Sequence, residues 1–151
     1  MLDHVLHGYV NAMECEHGQI SRRLHSLGQS LDTIGVHGQS KTEVQSVVMQ
    51  LEELEHFLAN HFKREEDGGF LDDAVSAAPR FGLDAKTLLG EHGTLLTRVK
   101  ELTNVARSKG NCREEWPSIA AATRTLIRQL KAHEERENEL LRRAFNVANG
   151  N

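Results

Sequence analysis

Prolines and cysteines are scarce in this sequence. It contains two prolines, Pro79 and Pro117, so long stretches lack the residue that most strongly interrupts a helix. It contains two cysteines, Cys15 and Cys112, which lie far apart and form no CxxC pair. We therefore expect long helices, and free thiols in a reducing compartment.

A basic surface and a long apolar run are also absent, and both absences restrict the function. The net charge is −4 with both signs interleaved, so no basic stripe offers phosphate contacts and nucleic acid is not an expected partner. No apolar run is long enough to span a bilayer, and the first residues lack the basic and then apolar pattern of a secretory signal. We expect a soluble cytoplasmic protein without a membrane partner, folded as a single domain over residues 1–151.

Apolar residues recur with a spacing near three and a half in four segments, which predicts four amphipathic helices. Gly68, Gly69, Pro79 and Gly82 are expected to break regular structure between the second and third helices, and Pro117 fits the first turn of the fourth. The pattern predicts an all-α fold, an antiparallel up-down-up-down four-helix bundle. The apolar positions are Leu6, Val10, Met13, Ile20, Leu24, Leu27 and Leu31, then Val44, Val47, Leu51, Leu54 and Leu58, then Leu88, Leu95, Val99, Leu102 and Ala106, then Ile119, Leu126, Leu130, Leu140 and Ala144.

Histidine and glutamate fill the gaps in these apolar stripes. Each stripe passes through one histidine, and in the second and fourth helices a glutamate follows four residues later. Of the nine histidines only two have a glutamate four residues on, and both of these pairs lie on stripes. The sequence therefore predicts six ligand-type side chains that face one core: His17, His61, Glu65, His92, His133 and Glu137.

These six residues suit metal binding. A single histidine on an apolar face is more often a core residue than a ligand, but two buried glutamates need compensation by cations, protons or metal. Residues four apart lie on one helix face, so each His-x-x-x-Glu pair offers a nitrogen and a carboxylate to the same small volume. Four nitrogens and two carboxylates fit a pair of iron or manganese ions better than a structural zinc, which closes its shell with four ligands. The alternative is a metal-free bundle with a polar layer in its core.

The other five histidines fall outside this set. His4, His7, His25 and His56 lie beside their stripes, so we expect them at the surface. His37 lies in a glycine-bearing connection, and periodicity leaves open whether it reaches the site.

The tripeptide Glu-His-Gly occurs twice, beginning at Glu16 and at Glu91, and His-x-x-Arg-Glu follows each occurrence in the next helix. The chain thus reads as two similar helical hairpins, which would place equivalent ligands on two adjacent metals. Glu16 and Glu91 could support ligands, although solvated helix positions are the expectation. Gly18 and Gly93 each cost roughly 1 kcal/mol inside a helix, so their repetition suggests a need for space beside the metals; the alternative is accidental drift.

This order of elements resembles the ligand pattern of the hemerythrin-like (HHE cation-binding) family. The family pattern is a histidine, an HxxxE, a histidine and an HxxxE, and the likeness covers about Val10 to Ala144. The resemblance implies a hemerythrin-like bundle with two iron ions, oxo- or hydroxo-bridged, and manganese is the less expected metal. It also implies that Glu65 and Glu137 bridge the irons, with the ligand histidines of the first hairpin on one iron and those of the second on the other.

Two departures separate this chain from the oxygen-carrying hemerythrins. Those proteins have a second histidine where Leu96 stands, and an aspartate five residues past the fourth-helix histidine, where Glu137 stands at four. The resemblance therefore implies open metal positions that bind or react with a small molecule, namely dioxygen, peroxide or nitric oxide, and leaves open whether this is catalysis. The alternatives are a non-catalytic iron or oxygen sensor and an iron donor for the repair of iron centres.

Overall fold

Four α-helices make up nearly all of the described chain. The computed structural model describes the backbone of residues 2–67 and 79–148, and the side chains of residues 11–67, 79–144 and 146. The helices are α1 (Leu2–His37), α2 (Lys41–Asp67), α3 (Gly82–Lys109) and α4 (Trp116–Ala148), and a 3-10 turn, Pro79–Phe81, precedes α3. No strand occurs in this part of the chain, so the all-helical prediction is confirmed.

The helices form a bundle in which each one packs against two others. α1 and α3 both pack against α2 and α4. Every predicted apolar stripe position whose side chain is described is buried, and most of them join one continuous core. Burying such an aliphatic side chain contributes roughly 1.5–3 kcal/mol, which is why the stripes determine how the helices face each other. Leu6 and Val10 carry side chains outside the described ones.

Gly38 ends α1. Its φ of +86° lies in the left-handed region that glycine adopts without strain, and its N–H donates to the carbonyl of Ile34 at 2.8 Å. Two residues later Ser40 Oγ accepts a hydrogen bond from the N–H of Glu43 at 3.2 Å, which caps the start of α2. The glycine and the cap confine the connection to residues 38–40.

The sequence had placed His37 in this connection, but His37 is the last residue of α1 and is exposed. The helix continues to Gly38 because only there does the backbone leave the right-handed region. Twenty residues of α-helix separate His37 from His17, a distance of about 30 Å along the axis. His37 is therefore not a ligand of the same centre.

The boundary before α3 also differs from the prediction. Gly82 is the first residue of α3 and does not interrupt it, and the 3-10 turn Pro79–Phe81 directly precedes it. Pro117 lies in the first turn of α4, as predicted, where its missing N–H costs no helical hydrogen bond. Gly68 and Gly69 lie outside the described residues.

Two expectations about the surface can be compared with the structure. None of the described helices combines the length and the apolar character that a bilayer crossing requires. Cys15 and Cys112 are free, as predicted, and both are exposed.

Candidate metal centre

The six predicted ligands come together in one buried layer of the bundle. They are contributed by all four helices, and the exposed fraction is 6% for His17 and 3% or less for the other five. Their donor atoms form two groups, and each group could hold a metal ion. Within a group, all donor atoms lie within 4.8 Å of one another. The groups are His17, His61, Glu65 and Glu137, and His92, His133 and Glu137.

Glu137 belongs to both groups. Its Oε2 lies 3.2 Å from His17 Nε2, and its Oε1 lies 3.2 Å from His92 Nε2 and 2.6 Å from His133 Nε2. Adjacent donors of an octahedral ion with bonds of about 2.1 Å are about 3 Å apart, so these separations suit donors that share an ion. Glu137 could therefore donate to an ion in either group, and its predicted bridging role stays a prediction.

Glu65 is placed less symmetrically. Its Oε1 contacts His61 Nε2, one turn earlier on α2. Its Oε2 lies 4.0 Å from His92 Nε2, which is long for adjacent donors of one ion. Glu65 accordingly belongs to the group around His17 and His61, and its predicted bridging role stays a prediction.

The second nitrogen of each imidazole faces a polar group outside the cluster. An acceptor within hydrogen-bond distance of Nδ1, as at His17, His92 and His133, favours the tautomer with the proton there, so that the lone pair of Nε2 points to the centre; at His61 the acceptor lies farther away. This is the arrangement in which metal-bound histidines are usually held. The Nδ1 to oxygen pairs are His17 with Asn138 Oδ1 at 2.5 Å, His61 with Glu16 Oε2 at 3.6 Å, His92 with Glu66 Oε1 at 3.1 Å, and His133 with Glu91 Oε1 at 3.0 Å.

The glutamates of the repeated Glu-His-Gly are therefore not solvated positions, and that expectation is wrong. Glu16 and Glu91 are partly buried, and each faces the ligand histidine of the next helix. The arginine of His-x-x-Arg-Glu holds them in turn: Arg64 Nε donates to Glu16 Oε1 at 2.6 Å, and Arg136 Nη1 donates to Glu91 Oε2 at 2.7 Å. The hydrogen bond from Arg136 lowers the pKa of Glu91, which keeps it ionised.

The histidines and carboxylates at the centre shift one another's pKa values strongly. Burial lowers the pKa of His17, but the adjacent carboxylates of Glu134 and Glu137 outweigh it and raise this pKa to about 11. Burial also lowers the pKa of His133, but the adjacent carboxylate of Glu137 outweighs burial and raises this pKa to about 9. Burial raises the pKa of Glu65 to about 7. A metal ion has to displace such protons, so its binding would release protons and weaken in acid.

The residues present fit a metal ion, because many of the central atoms have no hydrogen-bond partner among the described residues. A buried polar atom without a partner costs about 1–3 kcal/mol, and their convergence on one volume is what a cation would compensate. The unpartnered atoms include His17 Nε2, His61 Nε2, His133 Nε2, Glu65 Oε1, Glu137 Oε2 and both carboxylate oxygens of Glu134.

Known proteins add nothing to this geometry. Comparison of the chain with protein families, curated proteins and solved structures found no match. The resemblance to the hemerythrin-like family therefore stays a prediction that depends on the order of the ligands.

Glu134 is the residue that the sequence analysis missed. It follows His133 directly, is 7% exposed, and places Oε2 at 2.9 Å from His17 Nε2. The missed signal is a second apolar stripe on α4, which runs through Ile127, Leu130 and Leu141, all buried, and includes position 134 by the same spacing. Following only the stripe through His133 hid this position.

The remaining sequence expectations have mixed outcomes. His25 and His56 are exposed, as predicted, whereas the side chains of His4 and His7 lie outside the described ones. The interpretation that glycines make room for metals is wrong. Gly93 is exposed and a Cβ there would meet no atom within 4 Å, and at Gly18 it would make an ordinary 3.5 Å contact with the end of an arginine side chain.

Proposed function

We propose that this chain is a hemerythrin-like di-iron protein that binds or reacts with a small molecule such as dioxygen, peroxide or nitric oxide. One observation carries the proposal. Four imidazole Nε2 atoms and the carboxylates of Glu65 and Glu137 converge in a buried layer, where many of these atoms have no other partner. The sharing of Glu137 between two donor groups favours two ions over one.

The proposed bundle is antiparallel, up-down-up-down, as in the family. Contacts between helices support this because they pair early residues of one helix with late residues of the next. Gln50 Nε2 of α2 donates to Ser30 Oγ of α1 at 2.8 Å, whereas Arg64, further along α2, bonds Glu16, earlier in α1. From the first contact to the second, the residue number rises in α2 and falls in α1, as it does between antiparallel helices.

The donor set favours iron, with manganese as the less expected metal. All the converging donors are imidazole nitrogens and carboxylate oxygens, while Cys15 and Cys112 are exposed. Soft thiolates would favour zinc or copper, and a shared carboxylate suits paired iron or manganese. Bound iron would supply redox chemistry and affinity for small oxidants. The chain would hold the ions, orient the imidazoles and exclude bulk water.

Metal analysis tests the shared premise. Protein produced with iron supplementation and purified without chelators should contain about two irons per chain, or two manganese ions if manganese is the native metal. A matched sample of His56→Ala, which changes an exposed histidine, should contain the same amount. If the wild-type protein takes up neither metal, the proposed function is wrong.

Separate additions of dioxygen, peroxide and nitric oxide to the anaerobic ferrous protein then distinguish the activities. A stoichiometric change in the absorption spectrum identifies a bound molecule, and sustained loss of peroxide identifies an enzyme. An iron donor would instead lose its iron rapidly to a mild chelator and pass it to an acceptor. A protein whose spectrum responds to none of the three molecules contradicts the proposed chemistry.

A sensor is the second candidate, because all four helices contribute ligands. Metal occupancy would then determine how firmly the helices are held together, and loss of metal would expose a surface to a partner. A metal that is inert to all three small molecules, together with a large fall in Tm on chelation, would favour this function.

A further inference from the structure

Glu134 and Phe62 occupy equivalent positions in the two hairpins. Each directly follows the histidine of an HxxxE, His133 in the case of Glu134 and His61 in the case of Phe62. Each is buried and faces the histidines of the other hairpin. A carboxylate on one side of the centre therefore corresponds to a phenyl ring on the other.

The carboxylate of Glu134 is directed at the pair formed by His17 and His61. Its Oε2 lies 2.9 Å from His17 Nε2, and its Oε1 lies 3.9 Å from His61 Nε2. Both oxygens are buried and neither makes a hydrogen bond among the described residues. A carboxylate this deeply buried needs a cation close by, which is either a proton on His17 Nε2 or a metal ion bound in its place.

A hydrogen bond from neutral His17 does not meet this need. Nδ1 of His17 lies 2.5 Å from Asn138 Oδ1, an acceptor, so a neutral imidazole carries its proton there. The lone pair of Nε2 then faces a carboxylate oxygen of Glu134 at 2.9 Å, which is repulsive unless a proton or a metal ion lies between them. The separation is that of adjacent donors on one ion, about 3 Å for bonds of about 2.1 Å.

The phenyl ring of Phe62 gives the other pair a different environment. It stacks on His92 with ring centroids 3.9 Å apart and planes at 5°, and it meets His133 edge to face at 5.6 Å. Phe62 is 1% exposed and offers no donor atom. The metal position at His92 and His133 thus has an apolar wall where the other position has a carboxylate.

Resting on the proposed di-iron function, we propose that Glu134 is a third carboxylate ligand, bound to the metal held by His17 and His61, so that the two metal positions are unequal. The metal beside Phe62, with His92, His133 and Glu137 as its donors, would keep more positions for water or a small molecule. Charge supports this assignment: two divalent ions bring four positive charges, which Glu65 and Glu137 offset only by half, and a third carboxylate brings the buried layer nearer to neutrality.

Glu134→Gln tests this ligand, because it keeps the shape of the side chain and removes its charge. We expect one of the two ions to bind at least tenfold more weakly in anaerobic titrations with Fe²⁺ and with Mn²⁺, while the other keeps its affinity. Mössbauer spectra of the ⁵⁷Fe protein should resolve two iron environments in the wild type, of which the substitution changes one. Glu135→Gln, an exposed neighbour on the same helix, should change neither.

The proposal is overturned if Glu134→Gln binds both ions with wild-type affinity and leaves both Mössbauer signals unchanged. It is also overturned if the wild-type irons are spectroscopically equal, a measurement that needs no variant to fold. Glu134→Asp, which keeps a carboxylate, should restore part of the lost affinity. A wild-type protein that fails to bind two ions would instead overturn the proposed function, so the two failures are distinguishable.

Discussion

At the scale of single residues, each ligand histidine is defined by two contacts rather than one. Its Nε2 faces the centre, while its Nδ1 faces a partner from a neighbouring helix. The outer partner limits rotation of the ring, so that the inner nitrogen is directed at the centre before a metal arrives. The residue next to a ligand is therefore as informative about the site as the ligand itself.

Glu91→Gln tests the outer contact. Glu91 Oε1 lies 3.0 Å from His133 Nδ1, and Arg136 holds the same carboxylate. Removing its charge should weaken metal binding about 10- to 100-fold, because a neutral amide oxygen accepts more weakly from His133 Nδ1 than the carboxylate does and orients the ring less firmly. Metal titration measures the affinity, and Glu101→Gln, an exposed change on the same helix, is the control. Equal affinities in both variants would mean that the outer carboxylate has no part in binding.

Glu137→Ala tests the shared carboxylate. Because Glu137 contacts histidines of both groups, its removal should lower the metal content from about two ions per chain to at most one. The apolar replacement also leaves His133 without its inner partner. Elemental analysis measures the metal content, with His56→Ala as the control. A Glu137→Ala variant that still holds two ions would show that Glu137 does not bridge them.

At the scale of the helix, periodicity predicts most of the molecule. It yields four helices, the buried stripes and the six central residues, because a 3.6-residue repeat fixes which side chains share a face. It fails where the outcome depends on another helix. The partners of Glu16 and Glu91 lie across the bundle, and Glu134 lies on a second stripe that only the packing of α4 between two neighbours reveals.

Helix ends are the other place where the sequence is insufficient. Two glycines, Gly35 and Gly38, lie near the connection after α1. The pattern alone does not say at which of them the helix ends. The structure selects Gly38 through its positive φ, whereas Gly35 lies inside α1. Glycine is permitted at many positions, but it is required only where the backbone turns left-handed.

Two glycine substitutions should therefore have opposite effects on stability. Gly93→Ala should raise the free energy of unfolding by about 0.5–1 kcal/mol, since the added methyl meets open space in a helix interior. Gly38→Ala should lower it by about 1–2 kcal/mol, because its φ of +86° is strained for alanine. Thermal or urea denaturation measures both. A loss of metal from Gly93→Ala would restore the interpretation that this glycine makes room for the ions.

At the scale of the whole molecule, metal binding at this site would be linked to folding stability. The ligands come from all four helices, so an ion bound between them favours the assembled bundle over the unfolded chain. A free metal concentration a thousandfold above Kd stabilises a protein by about 4 kcal/mol.

Chelation should therefore lower Tm by on the order of 10 °C for a chain of this size. Differential scanning calorimetry of the iron-loaded protein, with and without a chelator, measures the shift. Glu137→Ala, with its incomplete site, should respond much less. A wild-type Tm that chelation leaves unchanged would mean that the ions are not part of the folded core.

The outer contacts of the four histidines also run around the bundle, through three hydrogen bonds and one longer contact of 3.6 Å between His61 Nδ1 and Glu16 Oε2. α1 reaches α2 through Glu16, α2 reaches α3 through Glu66, α3 reaches α4 through Glu91, and α4 returns to α1 through Asn138. Every helix supports the next one's imidazole and has its own supported by the one before. Because these contacts are connected around the bundle, removing one should weaken the others. Removing a second should therefore reduce metal affinity far less than removing the first.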